Sequence, residues 1–158
     1  MNIIQIFCKA NKRNRDDKTI SVCGHIIKES ERYVEDAYIV KLEGNGILLE
    51  LTALMNALLD EAVEGRLTKD KVLELYVCNE YIYKTLKGWE TEGSSSNKEV
   101  KHTTEWQEIQ ILINQCSGFK CHSTEKKYRD DSNPETIKCM AQLNKLVCEK
   151  VNSQTMSE

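Results

Sequence analysis

The sequence has one proline, no apolar run approaching a membrane span, no Cys-x-x-Cys pair and no surplus of positive charge. Each absence excludes something. A lone proline beside a 40% apolar fraction fits a globular chain rather than a linker. The apolar stretch Ile3 to Cys8 is too short for a membrane helix or a signal h-region, and its positive charges follow it instead of preceding it. A net charge of −3 excludes a polycation, so any nucleic-acid contact has to come from local patches. Without Cys-x-x-Cys, and with Cys116, Cys121 and His122 lacking a fourth partner at a typical spacing, no zinc site or other metal is expected. Seven cysteines and no export signal predict reduced thiols in a cytoplasm, and an odd number cannot all pair within the chain.

What is present suits one domain of 158 residues with a substantial core. Residues 3–8, 19–27 and 31–42 read as three strands, close enough in sequence for an antiparallel meander. The charged link KANKRNRDDK between the first two reads as a polar turn. Leu51, Leu54, Leu58 and Ala62 recur at helical spacing over residues 47–64, with Gly65 as terminator. A strand at 71–77 leads into a helix that Asn79 can cap. Residues 92–98 read as a flexible loop. Thr104 with Gln107 fits a capping box for a helix carrying Trp106, Ile109 and Ile113. Residues 118–123 predict a last strand, and Asn133-Pro134-Glu135 starts a last helix. The expected domain covers residues 1–151, with 152–158 as a flexible tail.

The order β-β-β-α-β-α-α-β-α resembles the ribonuclease H fold, an α/β architecture with a five-stranded mixed sheet and helices on both faces. Six local anchors carry the resemblance over about residues 2–151. Ile6-Phe7-Cys8-Lys9-Ala10-Asn11 is similar to the first-strand motif of the type 1 enzymes, apolar–aromatic–Thr–Asp–Gly–Ser. Gly24 matches a second-strand glycine. Leu49-Glu50-Leu51 with Ala53 and Ala57 resembles the start of the first helix, and Leu75 to Tyr81 resembles the strand-to-helix stretch that carries an aspartate. Trp89 and Trp106 echo the family's tryptophans, and Asn133 to Ala141 matches the start of the last helix.

The resemblance implies a site of three aspartates and a glutamate holding two divalent cations for cleavage of RNA in an RNA–DNA hybrid. Of these four acids only Glu50 is present. Lys9 stands at the first aspartate, Cys78 at the second, and Lys138 at the third unless a one-residue slip puts Cys139 there. The family's loop histidine is also missing, with Tyr128 or its neighbours in its place. Lysines at metal positions repel a cation. The expectation is a degenerate site without metal, in which Lys9 or Lys138 lies within salt-bridge reach of Glu50.

Other residues have plain readings beside their chemical ones. Cys8, Cys78 and Cys139 could meet near the old centre as soft ligands, or serve as small core fillers. His25, His102 and His122 read as structural, and Trp89 and Trp106 as helix packing. Lys12, Arg13 and Arg15, with Lys126, Lys127 and Arg129, form two basic segments that could hold phosphates, although acids dilute both. The functional expectation is an inactive ribonuclease H-like domain acting through a protein partner or self-association, with no cofactor and no membrane. The alternatives are a nucleic-acid binder without cleavage and a metal-dependent ribonuclease with a rebuilt site.

Overall fold

Alternating burial along β1 (Asn2–Arg15) divides the interior into two cores. In this computed structural model, which describes residues 2–15, 17–41, 45–92, 102–125 and 133–156, Ile4, Ile6 and Cys8 enter one core and Phe7 the other. That is the two-residue period of a strand buried on both faces. β2 (Lys18–Glu29) pairs antiparallel with β1, and β3 (Arg32–Val40) with β2. β4 (Lys71–Val77) lies parallel to β1, and β5 (Gly118–Ser123) parallel to β4. The sheet order is β3-β2-β1-β4-β5.

Helices cover both faces. α1 (Gly46–Val63), α2 (Glu80–Glu92) and α3 (Thr103–Ile113) fill the first core with Leu51, Leu54, Leu58, Ile82, Leu86, Trp106 and Ile109. α4 (Pro134–Met156) closes the second with Met140, Leu143, Val147 and Val151. Trp89 and Trp106 meet edge to face at 5.0 Å, the helix-packing role that their sequence positions predict. Among the described residues no helix is long and apolar enough to cross a membrane.

Helix ends follow local chemistry. Asn45, Asn79 and Asn133 each accept a first-turn backbone N–H with the side-chain oxygen, at 3.0, 3.1 and 3.1 Å. α1 stops in a Schellman motif: Gly65, at φ 69°, donates to Ala62 and Arg66 donates to Glu61. The capping box expected at Thr104 does not form. The helix starts two residues earlier, behind His102, whose left-handed backbone places no side-chain cap on the helix.

Three further boundaries depart from the sequence reading in ways that matter for the site and its surroundings. β1 does not end at Cys8; it continues through the supposed turn, and the β1–β2 ladder runs from Gln5↔Lys28 to Arg15↔Lys18. Lys12 and Arg13 are therefore strand residues. This ribbon extends past the core, so its exposed side chains show no apolar alternation from which a strand could be read. β3 ends at Val40, and Leu42 of the expected strand lies outside the described residues. The expected tail from residue 152 is helical as far as Met156.

Gly24 is fixed by the approach of α4. A Cβ there would sit 2.6 Å from Val147 Cγ2 and 3.1 Å from Leu143 Cδ1. Any larger residue would force the Val147 side chain, or α4 with it, to move.

Candidate functional site

The middle of β1, the first turns of α1 and the β4–α2 junction converge on one carboxyl group. Lys9 pairs across β1–β2 with Gly24. Glu50 lies on the buried face of α1 beside Leu49, Leu51 and Leu54 and is 6% exposed. Cys78 follows the last residue of β4, and Asn79 caps α2.

Glu50 does not form the expected ion pair. Its Oε2 accepts the backbone N–H of Cys78 at 3.2 Å and of Asn79 at 2.8 Å. Among the described residues no ion pair joins Glu50 to Lys9 or Lys138. Burial pushes the Glu50 carboxyl up to about 7, against the two amides and the field of Lys9, which pull it down. Lys9 thus acts on Glu50 through space, without contact. The two amides satisfy the buried acid because they are free at the start of α2, where helical carbonyls cannot reach them.

Lys138 is not part of this group. It is exposed on α4, where its charge acts on Glu135 and Cys139. The position was expected near Glu50 because the first turns of the last helix bring an acid to the family's site. Here Thr136, Cys139 and Met140 are the buried residues around it, and Cys139 faces the α4 core with Phe7, Val22 and Ile26. The three-cysteine meeting fails for the same reason, since Cys8 lies in the core on the opposite face of the sheet.

Cys8 and Cys23 lie in the α1 core, and both spend their thiols on backbone carbonyls: Cys8 Sγ donates to Tyr76 at 3.5 Å and Cys23 Sγ to Leu49 at 3.2 Å. Burial first, and then Glu50 and the neighbouring thiols, raise Cys8 well above the ordinary range. Burial pushes Cys23 and Cys121 up to about 12. These are neutral thiols, and the thiolate is the metal ligand. Among the described residues no group of three His, Cys, Asp or Glu side chains could hold a metal ion.

The basic candidates separate. Lys12 and Arg13 lie on the β1–β2 ribbon, and Arg13 donates to Asn152 Oδ1 of α4. Arg15 ends the strand. Lys126, Lys127 and Arg129 lie outside the described residues.

The sequence reading missed a second polar group, on the α4 face of β4 and β5. Phe7, Tyr76 and His122 stack across three strands, at 4.2 and 4.7 Å between ring centroids. Glu74 Oε2 accepts the Tyr76 hydroxyl at 2.9 Å and lies 3.1 Å from His122 Nε2. The parallel register Tyr76↔His122 creates this cluster, and that pairing is invisible until the sheet is assembled.

Solved structures share the path of the chain. An RNase H1 from the halophilic archaeon Halobacterium salinarum matches with a TM-score of 0.60 at 12% identity, over 93% of this chain and 98% of that one. The LC11 RNase H1 in complex with RNA/DNA hybrid matches with a TM-score of 0.60 at 15% identity, over 94% and 99%. The chain has a ribonuclease H-like fold. The foamy-virus RNase H domain in solution shares the fold as well, with a TM-score of 0.58 at 13% identity over 96% and 94% of the two chains. No protein-family model and no curated protein matches the chain. At these identities the ribonuclease H likeness concerns the path of the chain. The chemistry of this site has to be argued from its own side chains.

Proposed function

We propose that this ribonuclease H-like domain acts by binding, as a protein-interaction or regulatory module, and does not cleave RNA by a two-metal reaction. The observation that carries the reading is Glu50. The one acid at the four family positions is buried and bonded to the amides of Cys78 and Asn79, and burial pushes its carboxyl up to about 7. Two divalent cations need several hard anionic oxygens. An ammonium at Lys9 and a thiol at Cys78 do not supply them, and Lys138 faces elsewhere, so the residues do not fit a metal pair. Seven free cysteines support a reducing, cytoplasmic setting.

The test is incubation of an RNA–DNA hybrid with the protein in Mg2+ or Mn2+. Intact hybrid is expected. Cleavage that disappears in Glu50→Gln would overturn the reading.

A second reading, nucleic-acid binding without cleavage, draws on Lys12 and Arg13 carried outward on the β1–β2 ribbon, and on the hybrid-bound LC11 enzyme of the same fold. Gel shifts with hybrid, duplex and single-stranded probes at two salt concentrations decide it, because phosphate contacts weaken steeply with salt. No shift at low salt removes it.

A further inference from the structure

β3 is an edge strand, and among the described residues one side of its backbone has no paired strand. Its side chains include three large exposed apolar groups, Tyr33, Val34 and Ile39, at 48%, 38% and 42% exposure. Beside it, between β3 and α4, runs a groove of about 580 Å³ whose walls include Lys28, Tyr33, Lys138, Gln142 and Lys145, with Cys139 in the floor. The charges in this groove are uneven. Lys28 is paired with Glu135 at 3.1 Å. Glu35, on β3, accepts Tyr33 Oη–H at 2.7 Å and Gln142 Nε2–H at 3.2 Å. Lys138 and Lys145 have neither a hydrogen bond nor an ion pair among the described residues. They stand seven residues apart on one helix face, about 10 Å along the axis.

We propose that this groove and the β3 edge bind an extended acidic segment of another protein, added to β3 as a sixth strand with its carboxylates directed at Lys138 and Lys145. Unpaired N–H and C=O groups on β3 supply the main-chain ladder, as in strand addition generally. Alternate residues of a strand share one face at about 6.8 Å spacing, so two acids on that face reach two lysines about 10 Å apart. Tyr33, in the same groove, offers an apolar contact.

The charges choose among occupants. A two-fold pairing of β3 with a second copy, centred on Asp36, sets Asp36 against Asp36, and like charges directly opposed are unfavourable. A nucleic-acid backbone carries charge continuously and would meet Glu35 and Glu135 as well as the lysines. Spaced carboxylates avoid both conflicts.

The inference rests on the protein-interaction reading, and the two fail in different assays: hybrid cleavage would remove that reading, whereas the peptide measurements bear on this groove alone. The probe is a fluorescein-labelled extended peptide of alternating valine and glutamate, compared with its valine–lysine counterpart by anisotropy, with amide hydrogen exchange on the complex. Binding of the glutamate peptide is expected, with slowed exchange in β3 and about tenfold weaker affinity in Lys138→Glu/Lys145→Glu. Both lysines are exposed, and an unchanged urea midpoint will show that the variant folds. Equal binding of the two peptides, binding indifferent to the double substitution, protection outside β3, tighter competition by a DNA oligonucleotide, or no binding at all would each overturn the proposal.

Discussion

Glu50 Oε2 accepts the backbone N–H of Asn79 at 2.8 Å, so the acid of α1 ties down the start of α2. The burial of this acid couples the candidate site to stability. Glu50 is raised in the fold from 4.5 to about 7, so between those values the folded protein holds a proton that the unfolded chain has released. The contribution is fully present below about 4.5 and lost as pH rises through 7, a change on the order of 3 kcal/mol. Urea titrations at pH 5 and pH 8 should show this loss in the native protein and much less of it in Glu50→Gln. Equal losses in both would assign the pH dependence elsewhere.

Lys9 acts on Glu50 without touching it. In Lys9→Asp the favourable field is replaced by a like charge, and the Glu50 carboxyl should titrate higher than in the native protein. Carbon-13 NMR of the labelled side chain measures this directly. A downward or absent shift would mean that Lys9 points away.

Gly24→Ala places a methyl group 2.6 Å from the Val147 side chain. Overpacking of this kind costs about 1–3 kcal/mol. Val147→Ala should recover part of the loss in the double variant, a coupling that two unrelated defects would not produce.

Arg32 donates to Glu61, whose side chain is 4% exposed, and also to Glu29 at 3.1 Å. Removing the guanidinium leaves Glu61 buried without its partner. Arg32→Ala should lose roughly 3 kcal/mol by chemical denaturation, whereas Lys84→Ala, which removes an exposed pair with Glu80, should lose well under 1 kcal/mol.

The thiols should separate by rate. Cys148 is exposed and Cys78 partly so, while Cys8, Cys23, Cys116, Cys121 and Cys139 are buried. Ellman's reagent should therefore titrate one thiol quickly, a second more slowly, and five only on unfolding.

The sequence disclosed most where burial repeats with a regular period. β4 and β5 have the predicted bounds, and the helix of Leu51, Leu54 and Leu58 is one residue off at each end. It was silent about the outer half of β1, because a ribbon such as Lys12-Arg13-Asn14 meets solvent on both faces and needs no apolar alternation. The sequence singles out Lys9, Glu50 and Cys78, and the fold brings the three segments that carry them together. Their pairing was not legible, because the partners of Glu50 are main-chain amides that every residue carries. Lys138 was misplaced because chain order alone cannot say which side of a helix turn faces inward, and Cys139 took that side.

The ribbon of β1 and β2 has a mechanical consequence. β4 accompanies β1 only as far as Phe7, β3 accompanies β2 only as far as Ser21 opposite Lys12, and from Arg13 to Arg15 the ladder has two strands. Two strands alone are marginal in water. Asn11 donates to Cys148 Sγ at 3.9 Å and Arg13 donates to Asn152, so the last turns of α4 brace the ribbon like a strut under a cantilever. The rigidity of the basic arm is therefore borrowed from residues more than a hundred positions later in the chain. Fraying of α4 beyond Val147 would soften Lys12 and Arg13 without disturbing Glu50.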